Sequence, residues 1–140
     1  MDHWVKLYEL SGELAARFVF VAGPSAREQA ILEAVCQKIP RARSIPKIAD
    51  LRHLMALIAQ ARLVVVGDTG PIHLAAGLGV PYVGFYGPSP VELWHPHGVG
   101  KVLIAPNCPC YGHPRSCIRQ QHCLAAIRPE QVLSAMHNYL

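Results

Sequence analysis

The chain has 140 residues, of which 51% are hydrophobic and 16% are charged, and its formal net charge is +4. This length and composition predict a single globular domain over 1–140 and exclude disorder, and apolar stretches such as 63–66 are too short to cross a membrane. The scattered basic residues indicate no nucleic-acid partner, and because no basic-then-apolar leader opens the sequence we expect a cytoplasmic protein.

The first third of the chain predicts a helix, a strand, a second helix and a short extended segment. Apolar side chains recur at helical spacing over 3–16, and a β-rich run over 17–22 ends at a Gly-Pro break. Ser25 can cap the second helix, because a serine hydroxyl accepts a hydrogen bond from a free N–H of the first turn. The apolar face of this helix comprises Ile31, Leu32, Val35 and Cys36.

The rest of the chain continues the alternation of helices and strands. A helix is predicted from the spacing of Leu51, Leu54, Met55 and Ile58. The continuous apolar run at 63–67 is typical of a strand covered on both faces. Next come a short helix over 72–78, strands over 80–86 and 102–105, a loop over 106–128 and a helix from Pro129 to Met136. This order predicts an α/β fold, a Rossmann-like parallel sheet with helices on both faces.

The turn after the apolar run at 63–67 is the strongest candidate for a binding site. It reads Asp68-Thr69-Gly70-Pro71, and a helix starts at once. Ligands of open parallel sheets bind beyond the carboxyl ends of the strands, where a helix N-terminus offers N–H groups and a positive dipole end to an anion. Gly70 allows close approach, Thr69 can cap the helix or bind a phosphate, and His73 lies in the first turn. The turn therefore predicts a pyrophosphate cradle, although in isolation it also fits a simple capped helix start.

The longer segment 64–89 is far more specific than this turn. It reads VVVGDTGPIHLAAGLGVPYVGFYGPS and resembles the signature of glycosyltransferase family 9, the ADP-heptose:lipopolysaccharide heptosyltransferases and their relatives. The resemblance extends to FVFVAGP near the start, to Pro46-Lys47-Ile48, and to the closing CLAAIRPEQVLSAM. It therefore covers nearly the whole chain.

The resemblance implies the C-terminal, donor-binding half of a GT-B glycosyltransferase, which needs no metal or other cofactor for its chemistry. The sugar and diphosphate of an ADP-heptose-like nucleotide-sugar donor would be held by Asp68, Thr69, Gly70, Pro71 and His73. Ile48 would lie against the base, and Gly87 and Ser89 would lie at the mouth of the cleft. The acceptor would be lipid-linked at the inner membrane surface, where the protein would be peripheral and would act in lipopolysaccharide or other cell-envelope glycan synthesis.

The sequence departs from the family pattern in three places. Asp2 stands where a lysine is expected, and Ala26 stands where many members have a ribose-binding glutamate, with Glu28 two residues on. The N-terminal half, which would hold the acceptor and the acidic base, does not match any part of this sequence. No catalytic residue is assigned for this reason, and we expect transfer only together with that half or with a partner chain.

Four cysteines, Cys108, Cys110, Cys117 and Cys123, cluster in the loop 106–128 with the spacing C-x-C-x6-C-x5-C. Four close thiolates can bind zinc and stabilise such a loop, and His113 or His122 can replace one cysteine. Two disulfides, disfavoured in a reducing compartment, and unmodified thiols are the alternatives. The sequence therefore predicts a structural zinc site without excluding these.

Two other functions fit the same sequence. The chain can be a stand-alone, non-catalytic nucleotide-binding module that works with a separate N-terminal partner, which a co-encoded partner would favour. It can also be a zinc-stabilised interaction module on a vestigial Rossmann scaffold. Bound metal together with a failed nucleotide titration would favour that alternative.

Overall fold

The computed structural model describes residues 2–48, 50–113 and 122–140, which group into two compact units, Met1–Leu54 and Met55–Leu140. The elements are α1 (Asp2–Leu10), β1 (Val19–Val21), α2 (Ala26–Lys38), β2 (Arg43–Ile45), α3 (Leu51–Ala59), β3 (Val64–Gly67), α4 (Gly70–Gly77), β4 (Tyr82–Tyr86), α5 (Val91–Trp94), β5 (Gly100–Ile104) and α6 (Pro129–Met136). Short 3-10 helices cover Gly12–Arg17 and His122–Ala126. The predicted α/β class is confirmed, and the single-domain boundary stays a prediction.

The first unit contains a two-stranded parallel sheet. β1 pairs with β2 in a register that sets Val19 opposite Arg43 and Val21 opposite Ile45. Edge-to-face and tilted ring contacts, with centroids 6.0 to 6.5 Å apart, join the aromatic residues of α1 to those at β1, namely Trp4, Tyr8, Phe18 and Phe20. These contacts and the buried side chains of Leu7, Leu32 and Val35 form the core of this unit.

The helix predicted over 3–16 is two elements rather than one. α1 ends at Leu10, and a 3-10 helix follows from Gly12. Gly12 has a φ of 54°, a left-handed conformation that ends an α-helix. The buried Ser11 donates its hydroxyl to the carbonyl of Leu7 at 2.7 Å, which satisfies one of the last carbonyls of α1.

The predicted cap of α2 is confirmed. Ser25 Oγ accepts a hydrogen bond from the N–H of Glu28 at 3.3 Å and donates to the Glu28 carboxylate. Leu32 and Val35 are buried on the predicted face, whereas Ile31 is 41% exposed. Leu51 of α3 is likewise 60% exposed. In both helices, therefore, some residues of the predicted apolar face are not buried.

The second unit contains a three-stranded parallel sheet in the order β3-β4-β5. The register sets Gly67 opposite Phe85 and Tyr82 opposite Gly100. The central strand β4 is the most buried, as expected for a strand with a neighbour on each side, and Tyr82, Val83 and Tyr86 are fully covered. β3 is the outer strand of the described sheet, and its residues are half-buried rather than covered on both faces as predicted.

Helix α4 packs closely on this sheet. The fully buried Ile72 side chain lies over Gly84, in the space that a Cβ would occupy. Gly100 likewise makes room for the Tyr82 ring, whose atoms lie 2.5 Å from the position of a Cβ. Two glycines therefore let bulky side chains lie flat on neighbouring strands. Among the described residues, every helix is too short or too polar to cross a membrane.

Candidate functional site

The predicted turn and the predicted cleft mouth lie at the same edge of the second sheet. β3 ends at Gly67 and β4 at Tyr86, and the two strands run parallel. The N–H of Asp68 donates to the carbonyl of Phe85 at 3.0 Å, so the strands remain paired just past the end of β3. The segments 68–73 and 87–89 therefore both leave the carboxyl edge, where ligands of open α/β sheets bind.

Helix α4 begins directly at this edge, and its capping residue leaves the helix end open. Thr69 is the N-cap with φ −151° and ψ 170°, but its hydroxyl makes no capping bond and instead donates weakly to the carbonyl of Gly67 at 3.3 Å. Pro71 lies in the first turn, where the missing proline N–H costs nothing. The hydroxyl of Thr69 is therefore not needed by the helix.

The start of α4 is open to solvent. Thr69, Gly70 and His73 are all exposed, and outside the adjacent residues and the helix backbone no atom lies within 4 Å of the position of a Cβ at Gly70. A helix N-terminus carries a partial positive charge and unsatisfied N–H groups, so this arrangement suits an anion. The residues present here can bind and orient a charged group.

Asp68 lies beside a buried tyrosine that the sequence analysis did not single out. The Tyr86 hydroxyl donates to the carbonyl of Trp94 at 2.6 Å. Burial, together with the smaller effects of the Asp68 charge and of a hydrogen bond with its carboxylate, raises the pKa of Tyr86 to about 12. The neutral Tyr86 hydroxyl therefore lies beside the half-buried Asp68 carboxylate at the edge of the sheet, and the two acceptors, Asp68 and the Trp94 carbonyl, compete for its one proton.

The predicted cleft-mouth residues differ in their exposure. Gly87 is buried, and the position of a Cβ there lies 3.1 Å from Cys123 Sγ. The carbonyl of Pro88 accepts a hydrogen bond from the N–H of Gly112 at 2.8 Å, and Ser89 is half-exposed. Gly87 is therefore packed inside the turn, and Ser89 is the more accessible of the two.

Ile48 belongs to the other compact unit. It follows β2 by three residues and is half-buried. Its predicted place against a nucleotide base stays a prediction.

A second tyrosine–carboxylate contact follows the Gly87-Pro88-Ser89 turn. The Tyr111 hydroxyl donates to Glu92 Oε2 at 2.6 Å and accepts from the N–H of Val91 at 3.1 Å. The hydrogen bond from Tyr111 lowers the pKa of Glu92 and raises the pKa of Tyr111. Sequence spacing gave no signal for this pair, because the two residues are 19 positions apart and Tyr111 lies in a predicted loop.

The residues that depart from the family pattern have local partners in the structure. Asp2, in place of a lysine, forms an exposed ion pair with Lys38, with Nζ and Oδ1 2.7 Å apart, and this contact lowers the pKa of Asp2. The Glu28 carboxylate bonds to Ser25 and lies over Gly23, 2.6 Å from the position of a Cβ. Both carboxylates therefore serve the first unit itself.

The cysteine loop is described in part. Cys108 Sγ lies 3.1 Å from Cys123 Sγ, and Cys110 is buried. Cys117 lies outside the described residues, and the part of the chain that is described holds no group of three side chains suited to a metal. The zinc site stays a prediction.

Solved glycosyltransferases share this fold over nearly the whole chain. E. coli heptosyltransferase WaaC with ADP matches it with a TM-score of 0.79 at 23% identity, covering 99% of this chain and 39% of that one. E. coli ADP-heptose lps heptosyltransferase II matches with a TM-score of 0.74 at 22% identity, covering 98% of this chain and 40% of the other. The fold is that of the C-terminal, Rossmann-like half of a GT-B glycosyltransferase.

Sequence comparison narrows this class to one family. The family model for glycosyltransferase family 9 (heptosyltransferase) matches residues 1–121, and the chain belongs to this family. Lipopolysaccharide heptosyltransferase 1 of Pseudomonas aeruginosa is 30% identical over 112 residues, which are 77% of this chain and 31% of the relative. Lipopolysaccharide core heptosyltransferase OpsX of Haemophilus influenzae is 37% identical over 71 residues, 49% of this chain and 20% of the relative. The chain thus spans less than a third of the length of these curated relatives.

Proposed function

We propose that this chain is the donor-binding half of a lipopolysaccharide heptosyltransferase and that it binds the diphosphate of an ADP-heptose-like nucleotide sugar at the start of α4. The observation that carries the proposal is the open helix N-terminus at the carboxyl edge of the sheet, where the Thr69 hydroxyl makes no capping bond. Membership of the family and the fold shared with a heptosyltransferase solved with ADP support it.

Each residue of the turn has a distinct part in this proposal. Gly70 lets the diphosphate approach the backbone because it has no side chain, and the Thr69 hydroxyl donates to a phosphate oxygen. His73, exposed in the first turn, supplies a further donor. Asp68 takes a hydroxyl of the sugar, because a carboxylate accepts hydrogen bonds from hydroxyls and repels phosphate.

The rest of the reaction requires groups that we assign to an N-terminal half or a partner chain. That half would bind a lipid-linked acceptor at the inner membrane surface and carry the base that deprotonates the acceptor hydroxyl. Donors and the helix dipole at α4 would stabilise the leaving diphosphate, so the proposal requires no metal. The protein would work in the cytoplasm, peripheral to the membrane.

Titration with nucleotides, followed by NMR of the backbone amides, tests the donor site. With half of the cleft, we expect ADP to bind with a Kd near 1 mM, about 4 kcal/mol, and to shift the amides of Thr69, Gly70 and His73. UDP and GDP serve as comparison ligands, since the site holds the diphosphate common to all three. Saturating ADP that moves other amides and leaves this turn unchanged would contradict the site.

A matched pair of glycine variants in α4 sharpens the test. Gly70 and Gly77 both lie in the helix, and outside the adjacent residues and the backbone of the helix itself no atom lies within 4 Å of a Cβ at either position. Gly77→Ala should therefore fold and stabilise the protein by about 0.4–1 kcal/mol. Gly70 precedes Pro71, whose ring disfavours helical backbone at a residue that has a Cβ, so Gly70→Ala should gain less or lose stability. Only Gly70→Ala puts a methyl group where the diphosphate approaches, so we expect it to weaken ADP binding severalfold while Gly77→Ala leaves binding unchanged.

A further inference from the structure

Cys108 and Cys123 are close enough to form a bond after a small movement. Their sulfur atoms are 3.1 Å apart, and a disulfide bond is about 2.05 Å long. The two residues are 15 positions apart along the chain, so folding rather than sequence proximity brings them together. This contact has no part in the proposed donor site.

Cys108 is held in place by the segment that follows β5. The N–H of Ala105 donates to the carbonyl of Tyr86 at 2.8 Å, and Asn107 turns the chain with a left-handed φ of 53°. The carbonyl of Cys108 then accepts from the N–H of Tyr111 at 3.1 Å. Since Tyr111 is itself bonded to Glu92, the turn that carries Cys108 is fixed to the segment after β4.

Cys123 is positioned independently by the 3-10 helix His122–Ala126. Its Sγ lies against Gly87, and the side chain of Leu124 packs on the same glycine. The N–H of Ile127 donates to the carbonyl of Leu124 at 3.1 Å, and Ile127 is buried. Because each cysteine is held by its own anchors, little conformational freedom remains to be lost when the sulfurs join.

The same pair is also accessible to a small reagent. Cys108 and Cys123 are both half-exposed, whereas Cys110, two residues from Cys108, is only 6% exposed. A dissolved disulfide can therefore reach the pair more easily than it reaches Cys110. Cys36 lies in α2 of the other compact unit.

We propose that Cys108 and Cys123 form a reversible disulfide, a redox-sensitive clasp that joins the turn after β5 to the 3-10 helix before α6. The oxidant is a low-molecular-weight disulfide such as oxidised glutathione. One protein thiolate attacks it, forming a mixed disulfide and releasing one glutathione thiolate. The second protein thiolate then attacks the protein sulfur of the mixed disulfide and releases the other glutathione thiolate. The protein dithiol loses two electrons and two protons, and oxidised glutathione becomes two reduced molecules.

The clasp has a local structural effect. It closes the loop 109–122 and holds Cys123 against Gly87, so the segment after β4 is fixed from two sides. Amides of Tyr111, Gly112 and residues 123–127 should then exchange with solvent at least about tenfold more slowly in the oxidised protein, because the bond removes the local openings in which Cys108 and Cys123 move apart.

Peptide mapping of the full chain under non-reducing conditions tests the proposal. Trypsin separates 102–115, which contains Cys108 and Cys110, from 116–119 with Cys117 and from 120–140 with Cys123, because it does not cut between Arg128 and Pro129. After equilibration with oxidised glutathione, we expect 102–115 linked to 120–140, with the loss of two hydrogen atoms and release by a reducing agent. Cys110→Ala and Cys36→Ala should keep this link, and Cys108→Ser and Cys123→Ser should abolish it and the slowed exchange.

Three results would overturn the clasp. They are a link from 102–115 to 116–119, a link that survives Cys108→Ser, and about one equivalent of zinc held by these thiols in the reduced protein, since metal-bound thiolates would not undergo the exchange. Circular dichroism of each variant checks that it folds. The mapping needs no nucleotide, so its outcome is separate from that of the donor site.

Discussion

At the scale of single residues, two tyrosines of β4 have the same structural task and differ in one neighbour. Tyr82 donates its hydroxyl to the carbonyl of Pro96 at 2.9 Å, and Tyr86 donates to that of Trp94 at 2.6 Å. Both rings are fully buried, and their bonds hold the end of α5 and the segment that follows it against the sheet. Tyr86 alone also lies beside Asp68, which connects it to the proposed donor site.

Phenylalanine substitutions separate the structural role that both tyrosines share from the role of Tyr86 beside Asp68. Tyr82→Phe and Tyr86→Phe each remove a hydroxyl and leave a backbone carbonyl without its donor, so each should lower the free energy of unfolding by about 1–2 kcal/mol. Tyr86→Phe should also weaken ADP-sugar binding roughly threefold to tenfold, because Asp68 loses the hydroxyl that holds it. Urea unfolding and calorimetric titration measure both effects, and equal binding by the two variants would refute a role for Tyr86 at the site.

The raised pKa of Tyr86 predicts a loss of stability at alkaline pH. Its pKa is about 12 in the folded chain against an ordinary value of 10.0, so folding favours the protonated form. The stabilisation is fully present below about pH 10 and is lost as the pH rises toward 12, because the unfolded chain ionises first. Tyrosinate absorbance should show a last ionisation step that Tyr86→Phe lacks. A variant with the same alkaline titration as the parent chain would contradict the assignment.

At the scale of secondary structure, helices α2 and α4 begin in different ways. The hydroxyl of Ser25 accepts a hydrogen bond from the first turn of α2, whereas the hydroxyl of Thr69 makes no capping bond at the start of α4. A helix normally gains stability when its N-cap side chain is used. The α4 end is therefore less completely satisfied by its own sequence and more available to a ligand.

Alanine substitutions at these two positions should have opposite consequences. Ser25→Ala removes a working cap and should cost about 1 kcal/mol of stability, with no effect on nucleotide binding. Thr69→Ala removes a hydroxyl that does not cap and should cost less than about 0.5 kcal/mol, yet it should weaken ADP binding severalfold. Thermal unfolding and the NMR titration measure the two quantities. A large stability loss in Thr69→Ala would mean that its hydroxyl serves the helix instead.

The order of strands and helices was predictable because apolar runs and turn residues mark it directly. Periodicity could not show which apolar residues stay uncovered, since Ile31 and Leu51 carry the right spacing and are still largely exposed. It also missed the short helix α5, which is four residues long and has no buried side chain. Its backbone depends instead on contacts with β4, such as the hydrogen bond between the Tyr86 hydroxyl and the Trp94 carbonyl.

The candidate site was predictable where its chemistry is local. Thr69, Gly70 and His73 follow a strand and open a helix, and these facts are readable from consecutive residues. The contact of Asp68 with Tyr86 depends on the pairing of two strands, and the contact of Cys108 with Cys123 depends on a turn and a 3-10 helix. No spacing rule reports such pairs.

At the scale of the whole molecule, the acidic residues that follow strand ends already have partners. Asp68 lies beside Tyr86, and Glu92 accepts a hydrogen bond from Tyr111 that lowers its pKa. A carboxylate with a lowered pKa is a weaker base, so Glu92 is poorly suited to deprotonate a sugar hydroxyl. We therefore expect the unit that carries the proposed donor site to bind a leaving group better than it activates a nucleophile.

We therefore expect no measurable transfer by this 140-residue chain with an ADP-heptose donor and a lipid-linked acceptor. A positioned base is worth about a hundredfold to ten-thousandfold in rate, and holding both substrates together is worth more. Release of ADP, measured with and without a supplied N-terminal half, checks this. Turnover by the chain alone that disappears in Asp68→Ala would place the base within this half.

The close packing of α4 on Gly84 has a consequence for how this surface tolerates change. Any side chain at position 84 would displace Ile72, which lies in the first turn of α4 between Pro71 and His73. The helix would be lifted from the sheet at the end where the ligand is proposed to bind. A genetic screen for lost donor recognition should therefore recover substitutions at a buried glycine that no substrate ever meets, and suppressors that trim Ile72 to a smaller residue should restore it.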